Sequence, residues 1–203
     1  KNRFYLYTLF GVGSAVLITV FSLSLAFQSY QFGNEHIFHS TLFNWINLGD
    51  FDISLAFMAD RLSIVMITFI TFIGMLIHIY AVGYMRDDVG FGKFFSYFNL
   101  FMGSMLLLVL ADNPIIMFVG WELVGLSSYL LIGYYHKDRA NIKAANKAFI
   151  LNRVGDFGFI MGLSLLFISL EGEAFTFISI KEHIHGVDIS TLEIFINNRQ
   201  VPY

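Results

Sequence analysis

The chain contains no cysteine and only two prolines, and just 13% of its 203 residues are charged. Without cysteine there is no disulfide, no iron–sulfur cluster ligated by this chain and no Cys-type zinc site. So few charges do not suit the surface of a soluble globular domain. The net charge of -3 is spread over loops and offers no basic patch to a nucleic acid. Also missing are a phosphate loop, a dinucleotide fingerprint, a haem motif and any Cys/His metal spacing. The residues therefore point to no cofactor and no metal on this chain. The sequence starts at Lys1 without a visible cleavable signal peptide and stops at Tyr203, and both ends read as cuts in a longer protein.

What fills the chain instead is apolar: 57% of residues are hydrophobic and 18% aromatic, mostly Phe. That composition belongs to an integral membrane protein. Five segments have the length and apolarity of a membrane-spanning helix: 4–27, 62–84, 94–111, 115–135 and 148–170. Gly11, Gly13, Ser14 and Ala15 would let a neighbour approach the first helix closely. Asp60 is placed to cap the second, and Asp112-Asn113-Pro114 forms a turn with a cap residue before a first-turn proline. Between the first two spans, residues 42–57 alternate around Asn47-Leu48-Gly49-Asp50, which predicts a short β-hairpin at the membrane surface with Trp45 in the aromatic belt. The expected fold is thus all-α, a polytopic transmembrane bundle of about five spanning helices with one surface hairpin. After Leu170 the pattern is mixed, and 175–181 and 189–196 fit either a hairpin or a surface helix.

Charge counting orients the bundle. With five alternating helices, Lys1, Arg3, Arg86, Lys93, Lys137, Arg139, Lys143 and Lys147 fall on one side. The opposite side carries Arg61, then Glu35, Asp50 and Asp52, with Lys181 and Arg199 in the tail. The positive-inside rule puts the first side in the cytoplasm or an equivalent matrix.

One stretch, from Ala111 to Asp156, carries the chemistry. Glu122 lies seven residues beyond Ile115, roughly 10 Å along a helix at hydrocarbon depth. An ionisable group there marks a functional site by default. It reads either as a proton carrier, tuned by burial and a movable cation, or as a protonated structural carboxyl. Arg153 and Asp156, spaced i, i+3, share one face of the fifth helix as a structural pair or a proton-transfer pair. Arg153 is placed about five residues beyond that helix's start. Ser127, Ser128 and Tyr129 offer hydrogen bonds beside Glu122, although membrane hydroxyls more often bond their own backbone. His78 is either a helix-to-helix hydrogen bond or a relay, and Lys147 either a topology marker or a proton-uptake group. Gly155, Gly158 and Gly162 form a small-residue packing stripe.

The run GWELVGLSSYLLIGYY (Gly120–Tyr135) followed by KAFILNRVGD (Lys147–Asp156) closely resembles the chain 5 or chain L family of antiporter-like subunits of respiratory complex I, the proton-pumping NADH:quinone oxidoreductase. MADRLS (Met58–Ser63), LIHIYAVGYM (Leu76–Met85) and YFNLFMGSMLLLVLADN (Tyr97–Asn113) extend the likeness over most of 43–170, with Arg61 departing from the usual DGLS. The resemblance implies a single N-terminal fragment, 1–203, of a proton-translocating membrane domain with Glu122, Asp156 and Arg153 at its centre. It implies partners in other membrane-arm subunits, the lipid bilayer, and protons and water. NADH, flavin, iron–sulfur clusters and quinone would sit on those other subunits. The location implied is the bacterial inner membrane, or else the mitochondrial inner membrane. Multi-subunit cation/proton antiporters share the Trp-Glu helix and are the alternative, with membrane-bound hydrogenase subunits lying between the two. In the family the glutamate works against a lysine on a following broken helix, which lies beyond Tyr203.

Overall fold

The computed structural model describes residues 2–32, 37–48, 51–170 and 175–186. Its elements are α1 (Asn2–Phe32), β1 (Phe38–Leu48), β2 (Phe51–Ala59), α2 (Arg61–Tyr84), α3 (Phe91–Val109), α4 (Pro114–Ile132), α5 (Arg139–Ser169) and α6 (Phe177–Gly186). Helices α1 to α5 are each long and apolar enough to cross a membrane. The chain is an integral membrane protein with the expected helical bundle and hairpin.

Helices α1, α2 and α3 form one group, α4 packs on α3, and α5 packs chiefly on α4. Polar contacts register α1 against α2, because hydrocarbon offers such groups no water. Thr19 donates to the Thr71 carbonyl at 2.9 Å, and the Ser22 and Thr71 hydroxyls lie 2.7 Å apart, all buried. The small residues of α1 divide. Ala15 is buried, a Cβ on Gly11 would meet Phe95, and Ser14 donates to Asn99, whereas a Cβ on Gly13 would meet nothing within 4 Å. A close backbone approach joins α3 to α4. A Cβ on Gly120 would lie 2.6 Å from the Leu108 backbone nitrogen.

At one end of the bundle, the α2–α3 and α4–α5 connections meet. Tyr134 donates to Asp88 at 2.7 Å, as does the Gly90 amide, and these bonds hold the Asp88 carboxyl below its ordinary range. Burial and the neighbouring Asp88 push the Tyr134 hydroxyl up. At the other end sits the hairpin. β1 and β2 pair antiparallel, with register shifts that leave Leu42 and Trp45 as extra residues on β1. Such bulges re-aim side chains; Leu42 and Trp45 are 57% and 50% exposed. β2 is clamped to the α3–α4 turn: Met58 donates to the Leu110 carbonyl at 2.8 Å, and Asp112 to that of Ala56 at 3.2 Å. The Asn113 amide reaches the Ser54 carbonyl at 3.0 Å.

Two boundaries differ from the sequence reading. The basic connection expected before residue 148 is helical from Arg139, with Asp138 capping it by accepting from Ala140. Residues 139–147 contain neither Gly nor Pro, so the helix leaves the apolar region without breaking. Arg153 therefore lies fourteen residues into α5, not about five. Conversely α4 stops at Ile132, and Tyr134 and Tyr135 belong to the following turn. Of the two tail segments, 175–181 leads into the helix α6, while 189–196 lies outside the described residues.

Candidate functional site

Helix α4 begins at Asn113, whose side chain accepts from the Ile116 amide at 2.9 Å, with Pro114 in the first turn. This cap starts α4 at Pro114, about two turns before residues 121 and 122. Asp156 and Arg153, one turn apart on α5, face them. The Arg153 guanidinium pairs through Nη1 with Oε2 of Glu122 and lies 3.7 Å from Oδ2 of Asp156. Its Cζ also sits 4.7 Å from the Phe149 ring centroid, a cation–π contact that supports the guanidinium from below. The structure brings together three of the residues singled out in the sequence, across two helices and more than thirty positions.

Burial across the cluster is graded. The side chains of Asp156, Glu122 and Arg153 are 8%, 22% and 46% exposed. With both acids ionised the three groups carry a net charge of -1, and a single proton makes them neutral. Between α3, α4 and α5 a cavity of about 330 Å³ opens beside them, lined also by Ser128 and Asn152. Ser127 does not join it; its hydroxyl donates to the Leu123 and Val124 carbonyls of its own helix. Tyr129 packs on Phe149.

One contact in the site escaped the sequence reading. The Trp121 indole Nε1 donates to Oδ1 of Asp156 at 3.0 Å. The indole is parallel to the Phe159 ring, which also stacks on Phe118. The only signal in the sequence was the adjacency of Trp121 to Glu122, which says nothing about a partner 35 positions away.

The two remaining candidates lie apart from this cluster. His78 is fully buried among α2 and α3, stacked on Phe98 at 4.1 Å. Its Nδ1 is 2.8 Å from the Gly74 carbonyl; a carbonyl only accepts, so Nδ1 carries the proton. Its Nε2 has no partner among the described residues. Lys147 is exposed and in no ion pair among the described residues. The glycine stripe of α5 also stands open: a Cβ at Gly155, Gly158 or Gly162 would meet nothing within 4 Å.

Two family models match the chain in series. Residues 45–95 match the N-terminus of chain 5 of NADH-ubiquinone oxidoreductase (complex I). Residues 111–197 match the transmembrane domain shared by NADH:quinone oxidoreductase and the Mrp antiporter. The chain is 36% identical over 189 residues to NADH-quinone oxidoreductase subunit L of Neisseria meningitidis serogroup A, covering 93% of this chain and 27% of that protein. It is 44% identical over 160 residues to subunit L of Escherichia coli, covering 79% and 26%. The chain thus spans about a quarter of the length of the relatives it matches. Its fold is similar to a chain of the Mrp complex from a Dietzia species, with a TM-score of 0.69 at 23% identity over 84% of this chain and 18% of that one. An archaeal membrane-bound sulfane sulfur reductase has a chain similar in fold, with a TM-score of 0.57 at 18% identity over 85% of this chain and 28% of that one. The Trp-Glu helix, the Arg-Val-Gly-Asp helix facing it and these relatives place the chain in the family of antiporter-like membrane subunits that includes chain 5 of complex I and subunit L of NADH:quinone oxidoreductase.

Proposed function

We propose that this chain takes part in proton translocation across the membrane as a subunit of a redox-driven NADH:quinone oxidoreductase. The observation that carries the proposal is Arg153, held by α5 within reach of both Glu122 and Asp156 beside a cavity. In a low-dielectric setting two carboxylates and one guanidinium favour a state holding one proton, because that state is neutral. A shift of Arg153 toward either acid changes which carboxyl keeps that proton. The guanidinium stays charged and acts as the movable counter-ion, while Glu122 and Asp156 exchange the proton with water in the cavity.

NADH, flavin, iron–sulfur and quinone chemistry falls to partner subunits of the membrane arm and beyond, and the chain acts within a translocating enzyme without a redox site of its own. The names of the relatives support this assignment. Residues 1–203 act as one unit at the N-terminal end of the translocating domain, in the bacterial inner membrane, with the Arg86–Lys93 and Lys137–Lys147 side facing the cytoplasm. For His78, burial against Phe98 favours a helix-packing role over a relay. Lys147, nine residues before Asp156, fits proton uptake from the cytoplasmic side less well than it fits marking that side.

The test is Glu122→Gln in the whole complex reconstituted into vesicles. NADH oxidation should persist while protons moved per NADH fall severalfold; an unchanged ratio would overturn the reading. The likeness of the second family model and of the Dietzia Mrp complex keeps a cation/proton antiporter as the second reading. Restored sodium resistance in an antiporter-deficient strain, with no dependence on NADH, would favour it.

A further inference from the structure

We propose that Trp121 is a positioning residue: its indole N–H fixes which oxygen of Asp156 faces Arg153. The inference rests on the proton-transfer reading of Asp156 and adds a residue which that reading does not use. Nε1 of Trp121 donates to Oδ1 at 3.0 Å, and Oδ2 is the oxygen turned to Arg153, at 3.7 Å. With Oδ1 accepting from the indole, Oδ2 is the oxygen turned toward the guanidinium. An indole N–H only donates, so Trp121 cannot itself accept the proton. A donor to a carboxylate favours its ionised form. Trp121 therefore holds the Asp156 carboxyl in the orientation that turns Oδ2 to Arg153.

The geometry is built, not incidental. Phe118 and Trp121 are one turn apart on α4, Asp156 and Phe159 one turn apart on α5, and the two pairs interlock. Phe118 and Trp121 both lie parallel to Phe159, with interplanar angles of 14° and 2°. That stack limits rotation of the indole about its side-chain torsions and keeps N–H aimed at Asp156. Trp121 and Glu122 are also consecutive on a rigid helix. The same element that presents one acid to Arg153 thus orients the other acid on α5.

The experiment is Trp121→Phe in the whole complex in vesicles, which keeps a ring on Phe159 and deletes the donor. Assembly and NADH oxidation should be retained, protons moved per NADH should fall severalfold at neutral pH, and the pH profile of pumping should move upward by about one unit. That size corresponds to about tenfold in the ionisation balance when a hydrogen bond to a charged group is lost. In an Asp156→Asn background the same change should add nothing. If Asp156→Asn lowers pumping while Trp121→Phe leaves amplitude and profile unchanged, the positioning role is overturned and the proton-transfer reading stands. If Asp156→Asn itself changes nothing, the underlying reading fails instead. Should Trp121→Phe not assemble, Phe159→Leu keeps the donor and loosens its support. A smaller shift in the same direction supports the proposal, and an unmoved profile overturns it.

Discussion

Replacing Gly120 by alanine should loosen the seam between α3 and α4 that sets the depth of the acid-bearing helix. The added Cβ would lie 2.6 Å from the Leu108 nitrogen, 2.7 Å from its Cα and 3.1 Å from its Cβ. Carbon contacts settle near 3.5–4.0 Å, so the helices must part by roughly 1 Å at this point. The atoms in the way are backbone, which cannot swing aside. Overpacking of this kind costs about 1–3 kcal/mol, against about 1 kcal/mol gained from alanine's higher helix propensity. The net loss of up to about 2 kcal/mol should lower the melting temperature by several degrees, at about 2–4 °C per kcal/mol for a chain of this size. Gly74 is an instructive contrast. Its Cβ would overlap Met102 more deeply, but the atom in the way is the flexible Cε terminus. Distance alone ranks Gly74→Ala as worse, whereas the freedom of the obstructing atom ranks Gly120→Ala as worse. Gly103→Ala, with nothing within 4 Å, is the control. Thermal unfolding in detergent decides the matter. A Gly120→Ala protein melting at or above the parent, or a Gly74→Ala protein melting lower than Gly120→Ala, would refute the reasoning.

Asn113→Ala removes the α4 cap and the bond to Ser54, and should destabilise by about 1–2 kcal/mol, measured by the same melts. For Asp88, the folded carboxyl is held low, first by Tyr134 and then by Gly90. Its contribution is therefore complete above the ordinary carboxylate value of about 3.9 and disappears as pH falls through the depressed folded value. The gap in melting temperature between the parent and Asp88→Asn should be constant from pH 7 to pH 5 and close below pH 4. Asp156→Asn should lower pumping severalfold without loss of assembly on a native gel; loss of the assembled complex would mark the Arg153–Asp156 pair as structural.

Much of this molecule was legible in its sequence, for reasons that differ by element. The spans stand out because hydropathy reports the solvent a segment tolerates. The cluster stands out because a carboxylate inside such a span is expensive, and because i, i+3 spacing puts Arg153 and Asp156 on one face. Hydropathy does not report backbone conformation. Arg139 to Lys147 are polar, so they looked like a loop, yet alanines, the Asp138 cap and the absence of Gly and Pro make them the first turns of α5. Small residues were equally ambiguous: Gly11 and Gly120 meet neighbours, while Gly13, Gly155, Gly158 and Gly162 do not. Trp121 was missed because its partner is set by how α4 and α5 pack, which no local spacing encodes.

The hairpin at the far end has a consequence of its own. A two-stranded ribbon normally presents two open rims, each able to recruit a stray strand. Here the turn after α3 lies along one rim, bridging Phe57 to Ala111 and using the Ala56 carbonyl and Met58 amide. The opposite strand is interrupted twice, at Leu42 and at Trp45. One rim is taken and the other is broken, so this ribbon is poorly suited to growing by strand addition, and it can stand outside the bilayer without inviting aggregation.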